Sequence, residues 1–120
     1  MIVNDMATYL WDARQAAEQI SDFIASSSYE GYLGNAMMRS AVERQFGIIG
    51  EAFARLRQDD PVTASRIPDL PRIVVFRNII IHAYARIDNR LVWQLATGAL
   101  PKLLVQLAVL IEEAGDEPPL

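Results

Sequence analysis

The sequence predicts an all-α fold, an antiparallel bundle of four to five helices with a kink in the last one. Apolar residues recur at spacings of three and four over long segments, and short polar connections separate these segments. No segment shows the sustained alternation that is typical of a half-buried strand. The length of 120 residues is that of one domain, so we expect residues 1–120 to form a single helical domain.

Apolar stripes predict the first two long helices. The stripe of the first helix is Val3, Met6, Leu10, Ala13, Ala17, Ile20 and Ile24. Residues 26–34 contain three serines and two glycines and interrupt this pattern, and Asn35 is a suitable N-cap for a second helix that should end near Arg57. The stripe of the second helix is Met38, Val42, Phe46, Ile49, Phe53 and Leu56. Glu51 lies beside this stripe, so it needs a partner at the edge of the core.

Acidic residues followed by proline predict the starts of two further helices, at residues 59–61 and 69–71. The first of them should be short and end near Ser65. The second should continue to about Tyr84, although its runs of β-branched residues favour a strand locally. We assign this segment to a helix because its apolar residues follow the helical period.

The last helix should begin after Asp88 and end near Ala114. Pro101 lies inside it and lacks a backbone N–H, so we expect a kink there. The longest nearly apolar stretch, residues 103–111, is about half of the ~20 residues that a membrane-spanning helix needs. Residues 1–5 lack the basic and small-residue pattern of a secretory signal. We therefore expect a cytoplasmic protein without a membrane segment.

The composition restricts the chemistry that the chain can perform. It has no cysteine and only one histidine, His82, which excludes a disulfide framework, a thiol nucleophile and a Cys/His zinc site. We expect neither a metal site nor a cofactor. The net charge of −4 argues against a generally basic nucleic-acid-binding surface. However, the segment from Arg66 to Arg90 holds five arginines and two aspartates, so the positive charge is concentrated there.

Four polar residues that can act on a phosphate lie on the fourth helix. At about 100° per residue, with Arg77 at 0°, Asn78 lies near 100°, His82 near 140° and Tyr84 near −20°. Asn78 and His82 are four residues apart and can form a hydrogen bond, and the long side chain of Arg77 can reach the imidazole. The opposite arc should face the core and contains Ile73, Phe76, Ile79, Ile80 and Ala83.

Such a set can cleave RNA without a metal ion. An imidazole with a pKa near neutrality moves the proton of the 2′-hydroxyl or of the leaving oxygen, and a guanidinium stabilises the charge on the phosphate. Structural roles for the same residues remain open. Arg77 could form an ion pair with Asp88 or Glu51, and Asn78 could simply satisfy His82. Glu51 is better placed to orient an arginine or cap a loop than to catalyse. Trp11 and Trp93 fit core or interface anchors, and Tyr84 could be an amphipathic residue at the edge of the bundle.

The motif Arg77-Asn78-x-x-x-His82-x-Tyr84 resembles the HepT toxins of the HEPN superfamily over nearly the whole chain. The accompanying motifs are Ile49-Gly50-Glu51-Ala52, Ile67-Pro68-Asp69-Leu70-Pro71, Ile87-Asp88 and Val92-Trp93. Two positions depart from the family's pattern: Ala83, where a polar residue is frequent, and Ala85, where an aromatic residue is common. Neither difference removes a chemical group from the motif.

The resemblance implies a HEPN-like homodimer in which the two motif helices form a composite cleft that acts on RNA. It implies Arg77 and His82 as the catalytic residues and Asn78 as the polar residue beside them. It also implies a partner, a minimal nucleotidyltransferase (MNT-type) antitoxin that silences the toxin by transferring AMP to Tyr84. The expected function is therefore that of a metal-independent endoribonuclease toxin in a type II or type VII toxin–antitoxin system.

Two other functions remain open at the level of sequence. In one, the same pocket belongs to a non-catalytic HEPN module that binds a nucleotide or RNA for the nucleotidyltransferase. In the other, the chain is a structural interaction domain of a larger complex. The intact pair of Arg77 and His82 favours the enzyme, because neither alternative requires both groups.

Overall fold

The predicted all-α bundle is confirmed by the computed structural model, which describes residues 5–82 and 87–115. Every element in these ranges is helical. The elements are α1 (Asp5–Ile24), α2 (Tyr29–Leu33), α3 (Ala36–Asp59), α4 (Pro61–Ala64), α5 (Leu70–His82), α6 (Asn89–Gln94), a π-helical turn (Leu95–Ala99) and α7 (Leu100–Glu113).

Helix α3 lies at the centre of the bundle. It packs along α1 on one side and along α5 on the other, and α7 packs against α1. The predicted stripes form the core, since residues 10, 13, 17, 20 and 24 of α1 and residues 42, 46, 49, 53 and 56 of α3 are buried. Phe46 and Phe76 meet edge to face with ring centroids 5.5 Å apart, which links α3 to α5.

Side-chain caps place the starts of three helices where the sequence predicts them. The Asn35 side chain accepts a hydrogen bond from the Met38 N–H at 3.0 Å, and Asp60 accepts one from the Thr63 N–H at 3.1 Å. Asp88 accepts from the first N–H groups of α6. These contacts satisfy donors that a helix leaves without an internal partner at its N-terminus.

Helix α2 is an element that the sequence pattern did not predict. The Ser28 hydroxyl caps it by accepting from the Gly31 N–H at 3.0 Å. Tyr32 is fully buried and packs on Trp93 of α6 with ring centroids 5.5 Å apart, and burial raises the pKa of Tyr32 to about 12. The helix is too short to show a period, so its position depends on this aromatic contact. Trp93 is half-buried against the core, in agreement with its predicted role as an anchor.

A π-helical turn directly precedes the segment of Pro101, where the sequence predicts a kink. The Leu100 N–H donates to the Leu95 carbonyl, five residues earlier, instead of to the carbonyl four residues earlier. Pro101 follows directly and has no N–H, so the widened turn accommodates it without breaking the helix.

The stretch Asn89–Glu113 continues as one helix through the π turn, beyond the apolar segment 103–111. By length and composition it could cross a membrane. A core helix of a soluble protein passes the same test. Here Leu103 and Leu107 are fully buried within the bundle.

Candidate active site

Arg77 lies on the side of α5 that faces the core. The buried residues of this helix are Leu70, Ile73, Val74 and Phe76. With Arg77 at 0°, they span about −100° to 60°, so Arg77 sits within the buried arc. Its side chain is 24% exposed. The sequence-based placement of Arg77 on the polar side of the helix is therefore wrong.

The exposed face of α5 combines apolar residues with the histidine. Val75 is 58% exposed and Ile79 is 45% exposed, whereas the sequence predicted Ile79 in the core. Both lie within about 60° of His82 around the helix axis. Ile79 is exposed because α3 covers only one side of α5, and the rotation of α5 places Ile79 on the other side. Ala83, also predicted in the core, lies outside the described residues.

Gly50 of α3 permits this close packing of α5. A Cβ atom built on Gly50 would come within 2.8 Å of Arg77 Cγ, closer still to Arg77 Cβ, and within 3.3 Å of the Ile73 carbonyl oxygen. The stem of Arg77 therefore fills the space that a side chain at position 50 would occupy. A glycine in a helix interior costs about 1 kcal/mol relative to alanine and can mark a close approach. The signal is not specific here, because Gly47 on the same helix meets nothing within 4 Å.

Glu51 holds the guanidinium of Arg77. Arg77 Nη2 donates to Glu51 Oε2, and Arg55 Nε donates to Glu51 Oε1 at 3.0 Å. The hydrogen bond from Arg55 is the largest cause that lowers the pKa of Glu51, and the positive charge of Arg77 acts in the same direction. The expectation that Glu51 orients an arginine is confirmed. Of the two ion-pair partners considered for Arg77, the structure shows Glu51.

Asn78 holds the other terminal nitrogen of the same guanidinium. Arg77 Nη1 donates to Asn78 Oδ1 at 3.1 Å. Among the hydrogen bonds of the described residues, Asn78 thus pairs with Arg77 and not with His82. Arg77 Nε is buried and has no hydrogen-bond partner in the described part of the chain. The guanidinium is therefore fixed through both terminal nitrogens.

His82 is the last residue of α5 and is exposed. From Arg77 it lies about 7.5 Å along the axis and about 140° around it, so the two residues face different sides of one helix. Tyr84, the expected acceptor of AMP, lies outside the described residues. Within residues 5–82 and 87–115, no group of three or more acidic or histidine side chains could hold a metal ion.

The fold and the motif define an all-helical protein with an arginine and a histidine five residues apart on one helix of its bundle. A family model described as "Ribonuclease HepT-like" matches residues 13–110, a range that includes Gly50, Glu51 and the whole motif. The chain belongs to this family, and the resemblance recognised from the sequence is confirmed.

Individual relatives agree with this assignment. The chain is 31% identical over 111 residues to a Methanocaldococcus jannaschii protein whose name marks it as a candidate RNase, and the alignment covers 91% of this chain and 99% of the relative. It is 32% identical over 97 residues to a candidate ribonuclease HepT of Thermococcus cleftensis, with 79% of this chain and 86% of the relative covered. No solved structure matches the chain.

Proposed function

We propose that this protein is a metal-independent endoribonuclease that acts as the toxin of a cytoplasmic toxin–antitoxin system, with residues 1–120 as its single domain. Membership of the HepT-like ribonuclease family supports the reaction class. One observation carries the proposal at the level of the site. Glu51 and Asn78 fix the guanidinium of Arg77, while His82 stays exposed on the same helix. A fixed cation and an accessible imidazole are the two groups that metal-free cleavage of RNA needs.

The reaction follows from these groups. His82 takes the proton of a 2′-hydroxyl, and the resulting oxygen attacks the adjacent phosphorus. The bond from phosphorus to the 5′-oxygen breaks, and this oxygen receives a proton from a second imidazole. Arg77 stabilises the negative charge that accumulates on the phosphoryl oxygens. The products are a 2′,3′-cyclic phosphate and a 5′-hydroxyl.

A homodimer supplies the second imidazole. In one protomer Arg77 and His82 face different sides of α5, so a second copy is needed to enclose a phosphate between such groups. The exposed Val75 and Ile79 lie on the face of His82, beside a groove of about 380 Å³ between α5 and α6. A two-fold contact that covers this apolar face would pair α5 with α5 of the second copy.

Control by an MNT-type nucleotidyltransferase antitoxin completes the proposal. Tyr84 follows Arg77 by seven residues in the sequence. AMP on the Tyr84 hydroxyl would introduce a phosphodiester anion that competes with the RNA backbone for the Arg77 guanidinium. Occupation of the anion site would then silence the toxin without a change of fold.

The test is cleavage of a labelled single-stranded RNA by the purified protein in EDTA. We expect products that end in a 2′,3′-cyclic phosphate. Arg77→Ala and His82→Ala should both abolish cleavage. Because His82 is exposed, its replacement should change the free energy of unfolding by no more than about 0.5 kcal/mol. Strict dependence on magnesium would overturn the mechanism.

A non-catalytic module is the second candidate. It is favoured by the fact that both terminal nitrogens of Arg77 already have partners within the protomer. Such a module would bind a nucleotide or RNA for the nucleotidyltransferase and would leave the RNA intact. The same assay separates the two functions, because the module predicts no cleavage of RNA by the wild type.

A further inference from the structure

A groove of about 650 Å³ runs along the outer face of α3, between α1 and α5. Its floor includes Arg44, Ile48 and Arg55, α1 contributes Tyr9 to one wall, and α5 contributes Arg77 to the other. The volume is in the range of small-molecule and nucleotide sites. Because Arg77 lines it, the groove is continuous with the candidate active site, and Ile80 and Ile81 of α5 line it as well.

Three guanidinium groups are distributed along this groove. Arg44 and Arg55 are eleven residues apart on α3, which is about 16 Å along the helix, and Arg77 packs against Gly50 between them. Glu51 fixes Arg55 and Arg77. Arg44 is exposed and belongs to none of the ion pairs found in the described residues. Such a row of cations matches a ligand with several phosphates in line, such as a nucleic-acid strand.

The remaining lining favours a ligand that also has bases. Three carboxylates, those of Asp12, Glu43 and Glu51, balance the three arginines, so the groove is neutral in a chain of net charge −4. Carboxylates repel phosphates but accept hydrogen bonds from the amino groups of bases. Ile48 is 37% exposed, and the half-buried ring of Tyr9 is held by a hydrogen bond to Asp59 at 2.9 Å. These two side chains offer apolar surface to a base.

We propose that the groove binds single-stranded RNA on one side of the phosphate that Arg77 contacts. This inference rests on the proposed ribonuclease function and specifies its substrate class. Bases can reach the floor at Ile48 and the ring of Tyr9 only from an unpaired strand, because a duplex buries its base faces in stacking. Arg44 lies at the opposite end of the groove from Arg55 and contacts the phosphate backbone of the RNA there.

The test measures the dissociation constant of a short fluorescent single-stranded RNA by anisotropy over a series of salt concentrations. All proteins carry His82→Ala, so that the RNA stays intact. Arg44→Ala should weaken binding roughly three- to tenfold and reduce the slope of log Kd against log salt by about 0.7, the value for one phosphate contact on a single strand. Ile48→Ser should weaken binding about threefold with the slope unchanged, because no charge is lost.

Arg57→Ala is the matched control. Arg57 is exposed on the same helix, about 140° around the axis from Arg44, and does not line the groove. Its replacement removes one positive charge from α3 and should leave the Kd and the salt slope unchanged. The same RNA annealed to its complement should compete poorly with the single strand, and Arg44→Ala should not weaken its residual binding.

The inference is overturned if Arg44→Ala and Ile48→Ser bind RNA like Arg57→Ala, or if duplex RNA binds as well as the single strand. It is also overturned if Arg44→Ala changes the sedimentation of the protein but not its RNA affinity, because the groove would then be a protein interface. Failure of the ribonuclease proposal gives a different result. The wild type would leave RNA intact, while the two groove variants would still show weakened binding.

Discussion

Gly50→Ala should displace Arg77 and reduce RNA cleavage without unfolding the protein. The added methyl group would lie within 2.8 Å of Arg77 Cγ and 3.3 Å of the Ile73 carbonyl oxygen. Both contacts belong to α5, and the carbonyl is part of its backbone. The strain is therefore relieved by a shift of α5 away from α3, and this shift moves the guanidinium relative to Glu51.

The magnitude is the balance of two terms. Overpacking in a well-packed contact costs typically 1–3 kcal/mol, and replacing glycine by alanine in a helix interior gains about 1 kcal/mol. We expect Gly50→Ala to lose about 0–2 kcal/mol of unfolding free energy. A misplacement of about 1 Å in a catalytic group can cost about 10²-fold in rate, so the loss of activity should exceed the loss of stability in relative terms.

Gly47→Ala is the matched control for stability. Gly47 lies one turn earlier on α3, and a Cβ built there meets nothing within 4 Å. This variant should gain up to about 1 kcal/mol from helix propensity alone. Urea denaturation of both variants and of the wild type measures the free energies. Cleavage of single-stranded RNA at saturating substrate measures the catalytic effect of Gly50→Ala against the wild type.

One outcome would refute the reasoning. If Gly50→Ala is as stable as Gly47→Ala and cleaves RNA at the wild-type rate, the stem of Arg77 does not depend on the absence of a side chain at position 50. If Gly50→Ala loses stability but cleaves RNA at the wild-type rate, the reaction does not depend on the exact position of the Arg77 guanidinium.

Three further predictions concern the dimer, the ion pair and the antitoxin. Ile79→Asp should place a charge on the exposed face of α5 and yield an inactive monomer in sedimentation velocity, and an unchanged dimer would contradict the proposed interface. The pKa of Glu51 is lowered from its ordinary value of 4.5 on folding, so its ionised form stabilises the fold above about pH 4.5 and this contribution disappears at lower pH. In urea denaturation, the difference between wild type and Glu51→Gln should therefore be present at neutral pH and shrink below about pH 4.5, and a difference that grows on acidification would be the opposite of this expectation. Tyr84→Phe should remain an active nuclease but escape AMP transfer by the proposed nucleotidyltransferase antitoxin, and mass spectrometry that finds AMP on the variant would place the acceptor elsewhere.

Much of the fold could be predicted from the sequence, because it depends on interactions between residues that are close in the chain. Asn35, Asp60 and Asp88 cap helices as predicted, because a side-chain oxygen at a helix start acts on N–H groups within three residues of itself. The apolar stripes of α1 and α3 are buried for a similar reason, since their spacing depends only on the helical period. Glu51 was also recognisable as a residue that needs a partner at the edge of the core, and its partners are Arg77 and Arg55.

The candidate site depended on relations between helices. The period of α5 gives the angles between Arg77, Ile79 and His82, but it does not give the rotation of the helix against its neighbour. That rotation is set by Gly50 of α3, where the missing side chain admits the stem of Arg77. Arg77 consequently lies in the buried arc, and Ile79 is exposed. The sequence by itself determined which residues share the motif helix. The packing of α5 on α3 decided which of these residues face the core, because the helical period gives only relative angles and a neighbouring helix must cover one side before any of them is buried.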